Sequence, residues 1–180
     1  MKKTNKKGFT LIELLAVVVI LGIIMLVATP NIIGIVNSNK DRTLIEDAKK
    51  FASTVEYKLK AGKIEKPADG KCVIIRLSYL DNSEFKNAPN GSPYSNYSVV
   101  FVKNVSGNYK YAVALIQDDS KGIIAVDRDN LYNSDAKKYI YEQVYTASGP
   151  STWKINGGPK GSATNKENSL NCESGSKLLN

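Results

Sequence analysis

The sequence predicts an α+β fold, a long N-terminal helix packed on an antiparallel β-sheet. Three observations predict it. Residues 9–36, FTLIELLAVVVILGIIMLVATPNIIGIV, form an apolar run of 28 residues with Glu13 as its single charge. Leu44, Ile45, Ala48, Phe51, Ala52, Val55 and Leu59 then recur at i, i+3, i+4 spacing, the stripe of an amphipathic helix. After Pro67 the pattern changes to short β-branched and aromatic runs punctuated by Gly, Ser and Asn.

Taken in order, the elements justify themselves. About 20 apolar residues suffice to span the hydrocarbon core of a bilayer as a helix. Lys2, Lys3, Lys6 and Lys7 precede the run, so the positive-inside rule keeps the N-terminus cytoplasmic and places the chain after Lys40 outside. Glu13 is anomalous, because a carboxylate in such a segment costs about 2.5–3.5 kcal/mol on insertion scales. No cation lies in the 26 residues between Glu13 and Lys40, which points to a partner on another molecule. Gly22 and Pro30 interrupt the apolar helix, Pro30 by removing a backbone donor and crowding the carbonyl of Leu26. The amphipathic stretch carries Asp41, Arg42, Glu46, Asp47, Lys49 and Lys50 on its other face and stops near Gly62.

Residues 72–77 read as a short strand or the start of a buried helix. Residues 96–102 and 109–116 flank Val105-Ser106-Gly107-Asn108, a hairpin signal, and residues 122–126 make a third strand. Three antiparallel strands on an amphipathic helix give the α+β class. KKYIYEQVY, residues 137–145, is ambiguous between helix and strand. From Ser148 the chain is rich in Gly, Ser, Asn and Lys around Trp153 and reads as loop.

Composition excludes several chemistries. The chain has no histidine, so serine–histidine catalysis, imidazole metal sites and histidine pH switches are out. It carries a net charge of +8; without the four leader lysines, 21 basic and 17 acidic side chains leave +4. Cys72 and Cys172 are too far apart for a metal motif. In an exported chain they close one disulfide, a loop long enough to stabilise the domain by about 4–5 kcal/mol in the chain-entropy model. In a cytosolic chain they stay reduced and buried, a reading the apolar segment opposes.

An ordinary signal peptide has a shorter apolar core and a small-residue cleavage site. A plain membrane anchor accounts for the length but not for Glu13 or the Gly8-Phe9 junction. The stretch Lys7-Gly8-Phe9-Thr10-Leu11-Ile12-Glu13-Leu14 closely resembles the N-terminus of type IV pilins, over roughly the first 35 residues. The resemblance implies a leader of residues 1–8, cut between Gly8 and Phe9 by a prepilin peptidase that then N-methylates Phe9. It implies that residues 9–36 form the transmembrane and later filament-core half of the helix, and residues 37–180 a globular head with the type IV pilin fold. Glu13 then pairs with the N-terminal amine of its own or a neighbouring subunit. The helix between Gly22 and Pro30 can lose order on assembly, and the Cys72–Cys172 disulfide bounds a surface-exposed C-terminal region. Cys72 precedes the hairpin, so that last match is partial.

The role this resemblance implies is that of a structural subunit of a type IV pilus, not an enzyme. Such a subunit acts in adhesion, motility or biofilm formation and needs no cofactor and no metal. Its expected partners are further copies in a helical filament, the peptidase/methyltransferase and the inner-membrane assembly machinery. It sits in the cytoplasmic membrane before assembly and outside the cell after it. The alternative is a pseudopilin of a type II secretion system or a DNA-uptake pilin.

Other patterns are weaker. Asp127, Asp129, Asn130, Asn133 and Asp135 read as a polar turn, with calcium as the sharper alternative. Tyr94, Tyr97, Tyr109, Tyr111, Tyr132, Tyr139, Tyr141 and Tyr145, interleaved with lysines, read as strand formers rather than as a stacking surface for DNA. Asn96-Tyr97-Ser98 and Asn104-Val105-Ser106 match the N-glycosylation pattern.

Overall fold

The structure, a computed structural model, describes residues 8–80, 85, 87–117, 121–142, 144–146, 152–155, 164–167, 170, 172 and 177–179. Lys2, Lys3, Lys6 and Lys7 lie outside the described residues. The chain divides into two compact units, Met1–Asn39 and Lys40–Asn180. Helix α1, Leu11–Lys60, belongs to both.

In the first unit α1 is apolar on all sides and exposed on all sides: Leu11 is 86% and Leu26 80% accessible. It is long and apolar enough to cross a membrane. The helix is continuous through Gly22 and Pro30. Thr29 Oγ1 donates to the carbonyl of Met25 at 2.6 Å, one residue before the proline. The helix order loss implied for this stretch concerns assembly, which the single chain does not reach.

In the second unit the stripe from Leu44 to Leu59 is buried to 5% or less, so the helical periodicity translates directly into core. The helix ends at Gly62, whose φ of 71° lies in the left-handed region. Gly62 N–H donates to the Leu59 carbonyl at 3.2 Å and Lys63 N–H to the Lys58 carbonyl at 2.9 Å, the paired bonds of a Schellman cap.

Among the described residues nine strands follow: β1 (Cys72–Arg76), β2 (Val99–Val105), β3 (Asn108–Ile116), β4 (Gly122–Asp127), β5 (Ile140–Tyr141), β6 (Val144–Thr146), β7 (Thr152–Ile155), β8 (Thr164–Glu167) and β9 (Lys177–Leu179). Six form one sheet in the order β5-β4-β3-β2-β1-β9, antiparallel except for the parallel β1–β9 pair. The hairpin turns at Ser106-Gly107, both at positive φ (52° and 84°), closing Val105 opposite Asn108. Residues 96–98, expected in β2, precede it. The ambiguous segment 137–145 divides into a 3₁₀ turn, Ala136–Tyr139, and the short β5 and β6. The tail read as loop contains β7, β8 and β9.

Alternation sorts the sheet's side chains into two apolar faces. Val73, Ile75, Val100, Val102, Val113 and Leu115 meet the α1 stripe. Ile74, Val99, Phe101, Ala112, Ala114 and Ile116 point the other way and are covered by Val144, Leu170 and Cys172. Burial on both faces explains why these strands read as unbroken apolar runs. The Cys72–Cys172 disulfide, with Cα atoms 5.7 Å apart, fixes the tail to β1. Arg128 Nη1 contacts Glu56 Oε2 at 2.5 Å and its guanidinium lies 4.8 Å from the Tyr111 ring centroid, tying the end of β4 to α1.

Two substitutions probe this packing. A Cβ on Gly122 would stand 2.7 Å from the Leu115 carbonyl and 2.9 Å from Ile116 Cα, both backbone, at the start of β4. Gly122→Ala is therefore expected to destabilise the second unit by about 1–3 kcal/mol, read as a lower melting temperature. The hydrogen bond from Lys60 and the charge of Arg128 hold the Glu56 carboxyl below the ordinary range. The stabilisation is thus complete above the unfolded carboxyl pKa and is lost as pH falls through the folded value. Glu56→Gln should flatten the acid limb of a plot of melting temperature against pH; an unchanged limb would remove the pair from the account.

Candidate functional site

The site gathers at the start of α1. Thr10 stands immediately before the helix and its carbonyl accepts the first helical bond, from Leu14 N–H at 3.2 Å. Its hydroxyl oxygen accepts from Glu13 N–H at 3.3 Å. In return the Glu13 carboxylate accepts from Thr10 N–H at 2.8 Å and from the Thr10 hydroxyl at 2.9 Å. This is a reciprocal capping box, Thr-x-x-Glu, satisfying donors at both ends of the first turn. The helix N-terminus also carries partial positive charge, which favours a carboxylate in its first turn.

Glu13 therefore has hydrogen-bond donors within its own chain, besides the partner on another molecule to which the lack of a nearby cation pointed. A carboxylate can be met by neutral donors as well as by a cation. Both hydrogen bonds fall on Oε2, and among the described residues nothing donates to Oε1. The residue missed in the sequence was Thr10, although the four-residue spacing Thr10-Leu11-Ile12-Glu13 is the signature that finds it.

Gly8 and Phe9 lie just outside the helix, with Phe9 85% exposed. A Cβ built on Gly8 meets nothing within 4 Å, and the same is true of Gly22. The packing of this chain makes no demand for glycine at either position.

The remaining candidates resolve into structure. Asp127 Oδ1 accepts from Asp129 N–H at 3.0 Å, Asp129 pairs with Arg128 at 3.5 Å, and Asp135 pairs with Lys138 at 2.5 Å. The oxygen-rich stretch is thus a capped, ion-paired turn. No cluster of three or more metal-ligating side chains occurs among the described residues. Tyr94 is buried and donates to Asp47 Oδ2 at 2.5 Å; burial and the Asp47 carboxylate push its pKa up. Burial pushes Tyr111 up to about 12. Tyr109 and Tyr139 are partly buried against the same core, whereas Tyr97 and Tyr132 are exposed. In the two glycosylation patterns Ser98 is fully buried, and the Asn104 amide donates to the Pro67 carbonyl at 3.0 Å. Trp153 and Tyr145 have side chains outside the described residues.

A family model, the prokaryotic N-terminal methylation motif, matches residues 3–29. No curated protein and no solved structure matches the chain. The motif is the type IV pilin and prepilin signature, and the long helix followed by an antiparallel-rich sheet is the α+β arrangement of the type IV pilin fold. The chain thus carries the type IV pilin signature over its N-terminal residues 3–29. The motif implies processing by a prepilin peptidase and assembly into a pilus.

Thr10→Ala removes one half of the capping box, a change worth about 0.5–2 kcal/mol to a helix end. In the detergent-solubilised chain, amide exchange in the first turn of α1 is expected to accelerate several-fold while the second unit is unaffected. Unchanged exchange at Glu13 and Leu14 would show that the box does not form.

Proposed function

We propose that this chain is the structural subunit of a type IV pilus, made as a prepilin, cut between Gly8 and Phe9, N-methylated on Phe9, and polymerised through α1. The observation that carries the proposal is the Glu13 carboxylate, held one turn from the cleavage point on a helix whose apolar surface is exposed all round. Cutting after Gly8 creates a cationic amine on Phe9. The Glu13 oxygen that has no donor among the described residues is then available to that new charge, its own or that of the next subunit.

The energetics favour a division of roles. Moving an apolar helix from lipid to a filament core gains little from the hydrophobic effect, since both surroundings are apolar; van der Waals packing drives the association. Packing alone tolerates several axial offsets. A carboxylate–amine pair in low dielectric does not, because every other stagger leaves one charge unpaired. The pair therefore selects the register. Residues 9–36 are the membrane anchor before assembly and the filament core after it. The head, from residue 37, lies on the outer side of the membrane and then on the filament surface. Loss of helical order between Gly22 and Pro30 on assembly would let the filament lengthen under load, since Pro30 already lacks one helical hydrogen bond.

Glu13→Ala should leave cleavage and membrane insertion intact while abolishing or disordering surface filaments, seen by electron microscopy of sheared fibres. Filaments indistinguishable from the wild type would remove Glu13 from assembly. Gly8→Leu should accumulate full-length protein in the membrane with an unaltered fold, since the chain's own packing has room for the side chain. Mass spectrometry of the N-terminus then decides the rest: fibres beginning at Met1 would end the pilin reading, and an N-methylated Phe9 is the expected result.

A further inference from the structure

In the second unit, α1 and the chain after β4 leave a gap between them. Arg42, Ile45, Glu46 and Lys49, spaced i, i+3, i+4 and i+7 along one side of α1, line it from the helix. Two 3₁₀ turns, Arg128–Tyr132 and Ala136–Tyr139, line it from across, and the cleft between measures about 410 Å³. Ile45, Leu131 and Ala136 are buried and give it an aliphatic floor. Asn133, Ser134 and Lys137 complete the rim and are exposed. Both walls are braced. Lys49 Nζ lies 4.9 Å from the Tyr132 ring centroid, Arg128 ties the first turn to Glu56 at 2.5 Å, and Ala136 N–H donates to the Asn133 carbonyl at 3.1 Å. The cleft is therefore formed before any ligand arrives, which removes an ordering cost from binding.

The rim carries three cations and one acid. Along the helix Glu46 is within reach of both Arg42 and Lys49. It takes Lys49, whose Nζ stands 2.7 Å from Oε1. Arg42 is left exposed and has no acidic partner among the described residues. Lys137 brings a further positive charge to the same rim. The side chains of Asn133 and Ser134 make no hydrogen bond among the described residues. The fold thus uses neither the guanidinium fork nor the two neutral polar groups, and it sets all three beside an aliphatic floor.

We propose that this cleft binds the carboxyl-terminal residue of a peptide, one with an aliphatic side chain. Each part of that ligand has its counterpart. The planar fork of Arg42 matches a carboxylate in bidentate fashion. The floor of Ile45, Leu131 and Ala136 takes the aliphatic side chain out of water. Asn133 and Ser134 offer donors and acceptors to the last peptide group. Inorganic phosphate would use the fork and leave the floor bare. A fatty acid would use the floor and leave the polar pair without partners. A free amino acid would bring an ammonium, and the acid on the rim is already matched by Lys49. The volume sits at the small end of ligand sites, about 300–1,000 Å³, which suits a terminal residue with its peptide unit rather than an extended strand. The inference does not rest on the filament reading, because every lining residue belongs to the second unit.

The test uses the full chain, labelled with nitrogen-15 and purified in a neutral detergent. The probes are N-acetyl-L-leucine, its neutral amide N-acetyl-L-leucinamide, N-acetylglycine and the tripeptide N-acetyl-alanyl-alanyl-leucine. The readout is the amide resonances of Ile45, Leu131 and Ala136. N-acetyl-L-leucine and the tripeptide should both shift them saturably. The neutral amide should bind at least about tenfold more weakly, since it lacks the charge-assisted pair. N-acetylglycine should also bind at least about tenfold more weakly, since it leaves the floor uncovered. Arg42→Gln should weaken binding of the acid at least about tenfold with an unchanged melting temperature. Lys63→Gln removes the same charge outside the cleft and should change binding less than about twofold, as expected for a screened surface charge. No saturable shift, an amide bound as tightly as the acid, equal loss in the two variants, or a tripeptide that fails to bind where acetylated leucine does would each overturn the inference.

Discussion

A carboxylate at the start of an apolar helix is the constraint on which the rest depends. Left alone in hydrocarbon it would oppose insertion; placed in the first helical turn, it closes a capping box with Thr10 and meets the positive end of the helix dipole. The same geometry that stabilises the single chain keeps the acid beside the Gly8–Phe9 bond. Glu13 is therefore tolerable in the single chain, and under the proposed processing it would meet a new cation. A serine or glutamine substitute could cap the helix but would carry no charge with which to select a register in the proposed filament.

Helix α1 lives in two surroundings, and its composition changes where they change. Up to Val36 it has no polar face and is long and apolar enough to cross a membrane. From Leu44 it has one apolar stripe, completely buried against β1–β4. The second unit therefore closes its own core and gains nothing in folding from the apolar run. That separation leaves the stability of the second unit independent of whatever surrounds the apolar run. The Cys72–Cys172 bridge strengthens the second unit in the same self-contained way, because it ties a tail of short strands to the sheet face that α1 leaves uncovered.

Much of this is legible in the residues. The stripe from Leu44 to Leu59, the stop at Gly62 and the hairpin around Ser106-Gly107 are all local patterns, and local patterns survive into structure. Long-range arrangements are not legible. Residues 148 onward look like loop because Gly, Ser and Asn dominate, yet strands β7 and β8 form by pairing with β6 and each other. Strand β9 forms on β1 from nearly the opposite end of the chain. No propensity in three residues announces such a partner. At the site, Gly8, Phe9 and Glu13 stand out through a motif, whereas Thr10 does not, because a charge suggests a charge as its answer and a neutral hydroxyl with its own N–H does the work here.

The unbroken apolar runs in β2, β3 and β4 carry a further message. A strand half exposed to water alternates; one that reads Val-Val-Phe-Val or Ala-Val-Ala-Leu-Ile is covered on both sides. Given one helix for one face, something else has to cover the other, and the C-terminal third of the chain is the remaining candidate. Cys172, Leu170 and Val144 do lie there. With both faces of the sheet closed, the exposed surface of the second unit among the described residues consists of the polar face of α1 together with loops, edges and turns. The cleft beside Arg42, built from that face of α1 and two 3₁₀ turns, is such a surface, and its rim can vary without disturbing the core beneath it.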